Sequence, residues 1–268
     1  MYEVDILSSS IVLYCKYLRE YNNLPKSGCR ELYELCRQYF KEKFVIGRDR
    51  FYDILRANGL MLRKRRYRPR TTDSKHRFRI YDDLVNTHPK MVPEDNGQLV
   101  VSDITYVCIK EGFAYLSLVT DAFNRSIMGH SLSRSLEKDG PIAALGDALG
   151  LYRELHIDTG SLIHHSDRGV QYASWEYVNL LKSNGIRISM TQTGDPLHNA
   201  LAERMNNTLK NGWLFNDGNM SFDQAKEAID RAVVMYNTAR PHKALSMKTP
   251  MEILTGKNVN PLLSPMYV

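Results

Sequence analysis

Three carboxylates carry the residue types and spacing that could do chemistry. Asp103 sits inside the apolar run VVSDITYV, Asp167 within HHSDRGVQY at 164–172, and Glu203 within NALAERMNNTLK at 199–210. Asp167 and Glu203 are separated by 35 residues. Brought together, three acids form an all-oxygen site suited to a hard divalent cation, and such cations act on phosphate. Phosphodiester chemistry needs an attacking oxygen made reactive and a leaving 3′ oxygen stabilised, which two cations about 3.5–4 Å apart can do. Mg2+ keeps much of its water shell, so few carboxylates suffice. Without a cation the clustered acids repel, and at least one pKa rises.

Each acid also has a plainer interpretation. Asp103 lies among Val100, Val101, Ile104 and Val107, and a carboxylate in a central strand is costly unless paired or metal-bound. Its side chain could instead point off a sheet edge into solvent. Asp167 follows a short apolar stretch, at the carboxyl end of a strand where α/β sheets place ligand-binding groups. Gly169 allows a sharp turn there. His164, His165 and Ser166 could shape the site or serve the core. Neither histidine has metal-ligand spacing to a second His or Cys, so no zinc site is expected. On a helix from Asn199, Leu201, Met205, Leu209 and Gly212/Trp213 form the apolar face, while Glu203, Asn206, Asn207 and Lys210 recur at three- and four-residue steps on the other. That polar face could equally be solvated.

The elements that must position these residues follow from periodicity. LVVSDITYVCI, FAYLSLVTDAF and RSIMGHSLS, all beyond Leu99, are three strand-like runs, with turns at Glu111-Gly112 and Asn124-Arg125. Asp139 caps an expected helix to Glu154, with Ile142, Leu145, Leu149 and Tyr152 on its core face. SLIHHSD is a fourth strand, Ser174 caps a helix to Ser183, and IRISMT is a fifth strand. Asn199–Trp213 and Asp223–Tyr236 are further helices. Hairpins followed by helix-linked crossovers predict a mixed sheet with helices on its faces, the order of a ribonuclease H-like α/β fold.

Upstream, residues 1–62 read as helical. Ile6, Leu7, Ile11, Leu13, Tyr14, Tyr17 and Leu18 mark a first helix. Cys29–Lys43, with Leu32, Leu35, Cys36, Tyr39 and Phe40 on one face, marks a second. Asp49–Ala57, burying Phe51, Ile54 and Leu55, marks a third that stops at Asn58-Gly59. Two short helices across a turn are compatible with a helix-turn-helix, and equally with a small bundle. Residues 63–95 then form a basic linker containing Arg63, Lys64, Arg65, Arg66, Arg68 and Arg70. It either tracks a phosphate backbone, with Tyr67, Phe78 and Tyr81 free to stack, or is simply solvated. Residues 96–268 complete the organisation as the sheet-bearing core with C-terminal helices.

Charge supports a polyanionic partner. The 268-residue chain carries a net +6, but Arg63–Arg79 holds nine Lys/Arg against one acid, a net +8, leaving the remainder near −2. Basicity therefore belongs to one segment. No apolar run approaches the roughly 20 residues of a membrane span, and no signal peptide is read at the N-terminus. Cys15, Cys29, Cys36 and Cys108 form no CxxC pair and read as buried thiols. A cytoplasmic protein is expected.

DITY at 103–106, HSDRGVQY at 165–172, NALAERMNNTLK at 199–210, YNTARPHKAL at 236–245 and TP at 249–250 together resemble the DDE transposases of bacterial insertion sequences. More narrowly, the chain resembles their second-frame (OrfB-type) products, whose core is similar to retroviral integrases. The likeness is strong over 95–268 and looser over 25–85. It implies Asp103, Asp167 and Glu203 as a metal-binding catalytic triad for Mg2+, two ions with Mn2+ as a substitute, and Lys210 as a DNA contact near the scissile phosphate. It implies no other bound cofactor. Tyr236, Asn237, Arg240, Pro241 and His242 match a C-terminal motif that is structural or DNA-proximal. The family's usual Asp-Asn-Ala stands here as His198-Asn199-Ala200. Implied partners are double-stranded DNA (element terminal repeats and target), further copies of the chain, at least a dimer on DNA, and a first-frame (OrfA-type) product. The expected activity is cleavage at element ends and joining of 3′-OH ends by transesterification, at the nucleoid. A DNA-binding regulator with an inactive core, or a nuclease that hydrolyses without joining, are the competing expectations.

Overall fold

Runs rich in Val, Leu and Ile build five strands, β1 (Leu99–Ile109), β2 (Gly112–Asp121), β3 (Ile127–Ser133), β4 (Ile163–Ser166) and β5 (Arg187–Met190). They form one sheet in the order β3-β2-β1-β4-β5. The β1–β2 and β2–β3 pairs are antiparallel, whereas β1–β4 and β4–β5 are parallel. This is the mixed sheet read from the sequence, and it is ribonuclease H-like. The two hairpin turns place Gly112 at φ 118° and Arg125 at φ 68°. The structure is a computed structural model and describes residues 2–20, 27–62, 77–192, 199–212 and 219–257.

Chain contacts divide the protein into two compact units. One comprises Pro69–Lys210 and Leu214–Ile229, and the other Met1–Arg68, Asn211–Trp213 and Asp230–Val268. The sequence pattern instead grouped 96–268 together.

In the sheet unit, helix α4 (Asp139–Glu154) packs on β2 and β3, burying Ala144, Leu145, Ala148, Leu149 and Tyr152. The approach is close because β3 carries Gly129, where a Cβ would lie 2.0 Å from the Ala144 carbonyl oxygen. Asp139 does not cap this helix. Lys138 is the N-cap residue, without a side-chain bond, and Asp139 instead places its charge in the first turn, where the helix dipole favours it. Helices α5 (Val170–Ala173) and α6 (Trp175–Ser183) follow β4, with Ser174 Oγ accepting from the Tyr177 amide at 3.4 Å as expected. The fully buried Asp121 accepts from Gly97 N and Tyr152 Oη on one oxygen and from Phe123 N and Asn124 N on the other. Four donors explain how a carboxylate is tolerated there.

The expected linker divides in two. Residues 63–76, including Arg63, Lys64, Arg65, Arg66, Arg68 and Arg70, lie outside the described residues. In the stretch after them, residues 81–85 dock on the sheet, while 77–80 and 87–90 are exposed. Met190 N donates to Asp82 O, Gln192 Nε2 to Tyr81 O, and Leu84 N to Ser189 Oγ. Val85 enters the cluster of Leu99, Val101, Ala122, Ile163 and Ala202. Burying Val85 offsets the entropy of ordering this stretch.

In the helical unit, α1 (Tyr2–Glu20), α2 (Cys29–Phe40) and α3 (Arg48–Ala57) bury Ile11, Tyr14, Cys15, Leu18, Leu32, Leu35, Cys36, Phe51, Ile54 and Leu55. Ile6 and Leu13 face outward, against expectation, because the contact face of α1 runs through Ile11, Cys15 and Leu18 at helical steps. Tyr39 stacks on Tyr14, ring centroids 4.1 Å apart. Residues 41–47 join α2 to α3 and include a 3-10 turn at Lys41–Lys43, longer than a tight helix-turn-helix connection. Cys15 and Cys36 are buried with sulfurs 3.7 Å apart, whereas Cys29 and Cys108 are only partly buried; none of the four forms a disulfide. Helix α8 (Phe222–Ala239) leads to α9 (Pro250–Thr255), capped reciprocally by Thr249 and Glu252. No described helix is long and apolar enough to cross a membrane.

Candidate functional site

Sheet register sets the first relationship. In the parallel β1–β4 pair, Ser102 stands opposite Ser166, so the next residue on each strand is Asp103 and Asp167. By strand alternation Asp103 shares the face of Leu99 and Val101, and Asp167 follows directly after β4. Asp167 Oδ1 accepts the Gly169 amide at 2.8 Å. Gly169 itself has φ −58°, which any residue can adopt. The sequence-based account of a sharp glycine turn is therefore replaced by one of space: a Cβ here would lie 3.0 Å from Asp167 Oδ1 and 3.1 Å from Gln171 Oε1.

The third acid arrives on α7 (Ala200–Gly212). Ala202, Met205 and Leu209 are its buried apolar residues, with Leu201 only partly buried against the Val101 cluster. The polar face is turned to the sheet as well. Asn199, just before the helix, donates through Nδ2 to Ser102 O at 3.2 Å; Asn206 Nδ2 donates to Asp103 Oδ2 at 2.7 Å; and Lys210 Nζ to Thr105 Oγ1 at 3.1 Å. Glu203 lies between Asn199 and Asn206 on the same helical face. Lys210, expected at the DNA, thus lies against β1 two residues beyond Asp103, on the same side of the strand.

The three acids perturb one another electrostatically. Burial pushes the Asp103 carboxyl up to about 8, and the charges of Asp167 and Glu203 push the same way. The Asn206 side chain and the Ile104 amide, bonded to Asp103, oppose the rise. Tyr172 is buried, and its hydroxyl is pushed upward by burial, then by Tyr177, Asp103 and Asp167. Among the described residues, no group of three or more His, Cys, Asp or Glu side chains closes tightly enough to enclose an ion. The donor chemistry nonetheless fits a hard divalent cation, since it is all oxygen and its crowded negative charge is costly without one.

The histidines serve the core. His164 Nε2 lies 2.8 Å from both Ser102 Oγ and Tyr177 Oη, and burial, reinforced by His165, lowers its pKa to about 3. His165 Nδ1 lies 2.8 Å from Ser189 Oγ, the atom that receives the Leu84 amide. Sequence reasoning missed Asn199, Thr105 and Tyr172, and it noted Asn206 only as surface polarity. For Asn199 and Asn206 the signal was the three- and four-residue spacing 199, 203, 206, 210; Thr105 and Tyr172 had none. His198 and Trp213 lie outside the described residues.

A five-stranded sheet in this order, with acids on adjacent central strands, defines an integrase-type core. The integrase core domain family matches residues 93–196, and a second family, also described as an integrase core domain, matches 184–250. An uncharacterized 31 kDa protein of insertion element IS600 from Shigella sonnei is 30% identical over 210 residues, 77% of this chain and 74% of that protein. The transposase for insertion sequence element IS904 of Lactococcus lactis is 30% identical over 205 residues, 74% of this chain and 77% of that protein. The HTLV-2 integrase catalytic core domain, solved in complex with magnesium, is 22% identical with a TM-score of 0.45, covering 59% of this chain and 95% of that one. The chain belongs to the insertion-sequence transposases.

Proposed function

We propose that this transposase binds the ends of its element, cleaves DNA strands there and joins the freed 3′-OH to a phosphodiester of another duplex. The observation that supports this most directly is the convergence of Asp167 and Glu203 on Asp103, each raising its affinity for a proton. In the joining step the 3′ oxygen attacks phosphorus and a new P–O bond forms. The bond to the leaving 3′ oxygen breaks, a proton leaves the attacking hydroxyl, and the leaving oxygen takes one up from water. Asp103, Asp167 and Glu203 would hold divalent ions, Mg2+ by donor type. When bound, these supply activation of the attacking oxygen and stabilisation of the leaving one. Asp103 presents its carboxylate from within β1 and Asp167 from just beyond the end of β4, and α7 carries Glu203 toward them. Lys210, beside Thr105, supplies a cation for the phosphate next to the scissile bond. Arg63, Lys64, Arg65, Arg66, Arg68 and Arg70 neutralise the backbone, and the helices of residues 1–62 read the element end. Joining two ends calls for at least two copies on DNA, and a first-frame product is a further partner.

Asp167→Ala or Glu203→Ala is expected to abolish cleavage and joining of element-end DNA while end binding persists in a gel-shift assay. Unchanged strand transfer by either variant refutes the proposal.

A further inference from the structure

We propose that Asn206 is a positioning residue of the transfer site. It fixes the Asp103 carboxylate and, through it, the register of the Glu203 helix on β1. This rests on the reading of Asp103, Asp167 and Glu203 as the ion-binding acids.

Asn206 is almost wholly buried at 4% exposure, although it belongs to the polar face of α7. A buried primary amide is costly unless its groups are used. Its Nδ2 donates to Asp103 Oδ2 at 2.7 Å. The other carboxylate oxygen accepts the Ile104 backbone amide at 2.9 Å. Asp103 is therefore held at both oxygens, by its own strand and by α7, and its rotation about the Cβ–Cγ bond is stopped. Each oxygen keeps a lone pair for an ion.

The Asn206 bond is also the central rung of a ladder. Asn199 reaches Ser102 O, Asn206 reaches Asp103, and Lys210 reaches Thr105, so one helix face meets three nearby residues of one strand. Glu203 falls between the first two rungs. A slip of α7 by one residue would break all three and carry Glu203 about 100° around the helix. The Oδ1 atom of Asn206 is buried and has no hydrogen-bond partner among the described residues. A buried amide engaged through its donor alone points to a role at the site rather than to stability alone. Groups that orient ion-holding carboxylates commonly cost about 10–100-fold in metal affinity when removed.

The test uses the full chain with element-end DNA, Mg2+ titration of strand transfer, and Mn2+ binding followed by electron paramagnetic resonance. Asn206→Ala is expected to raise the half-saturating Mg2+ concentration by about tenfold or more and to weaken Mn2+ binding in parallel. End-DNA binding and melting temperature should stay near those of the unsubstituted protein. Asn206→Leu keeps the side-chain volume and removes the donor, and it should behave the same if the alanine variant is poorly folded. Unchanged Mn2+ binding in a folded variant overturns the inference, as does a loss of rate that is uniform across Mg2+ concentrations and tracks a fallen melting temperature. Asp103→Asn in the same assays separates the two ideas: active Asp103→Asn sinks the acid site itself, whereas inactive Asp103→Asn beside an unperturbed Asn206→Ala sinks only the positioning role.

Discussion

Gly169 donates its backbone amide to Asp167 Oδ1 at 2.8 Å, and a methyl group built on Gly169 would lie only 3.0 Å from the same oxygen. The bond and the near-clash act on one atom of one proposed ion-holding carboxylate. Gly169→Ala should therefore displace the carboxylate without straining the backbone, whose φ of −58° suits alanine. The expected result is a roughly 10–100-fold loss of strand transfer with stability changed by less than about 1 kcal/mol. Single-turnover transfer and urea unfolding of the same preparation would check both halves.

Asp121 is the acid that chemistry does not need. It is wholly buried and accepts four hydrogen bonds, including one from Tyr152 Oη at 2.7 Å. Asp121→Ala leaves those donors without an acceptor and should cost about 3 kcal/mol or more. Tyr152→Phe removes one donor and should cost about 1–2 kcal/mol. Equal, small effects of both in denaturant unfolding would count against this assignment.

Much of this was legible beforehand, for reasons that particular residues make clear. The strand at 99–109 stood out because a run rich in Val, Ile and Tyr favours extended backbone without tertiary information, and an acid inside such a run is conspicuous. Asp167 stood out because it follows an apolar run at a strand end. The docking of α7 was not legible: Glu203, Asn206 and Lys210 have the same spacing whether their face meets water or a strand. Gly169 was singled out for the wrong reason, since sequence cannot separate a glycine that turns from one that makes room. Leu84 and Val85 sit beside a dense basic run, and its charge masked the short apolar pair that docks.

Arg240 and Glu31 illustrate the same limit across 209 positions. Arg240 donates through Nε and Nη2 to Glu31 Oε1, while its guanidinium lies over the Tyr236 ring. This ties the YNTARPHKAL segment to the start of α2 within the helical unit. Glu31→Gln and Arg240→Gln in a double-mutant cycle should show a coupling of about 1–2 kcal/mol, reduced by partial exposure to solvent. A coupling near zero would leave the segment without this anchor.

The basic stretch from Arg63 to Arg79 carries a net +8. If about six phosphates are neutralised on binding, the slope of log K against log salt should be near −5. Replacing Arg65, Arg66 and Arg68 with Gln should lower the magnitude of that slope by about 3. Filter binding across a salt series would check it, and an unchanged slope would remove these residues from the contacts.

His164 predicts an acid limit to stability. Its folded pKa of about 3 lies below the ordinary 6.5 because burial and the neighbouring His165 disfavour charge. The unfolded chain therefore takes up the proton first. The stability from a neutral His164 is complete above about pH 6.5 and is lost progressively as pH falls toward 3, on the order of a few kcal/mol across that window. Once the ring is charged, Nε2 can only donate to the Ser102 and Tyr177 hydroxyls that lie 2.8 Å from it. Urea unfolding between pH 7 and 4 should show stability falling with acid, and His164→Asn should flatten that fall while lowering stability at pH 7. Parallel pH profiles for the two proteins would show that the acid sensitivity arises elsewhere.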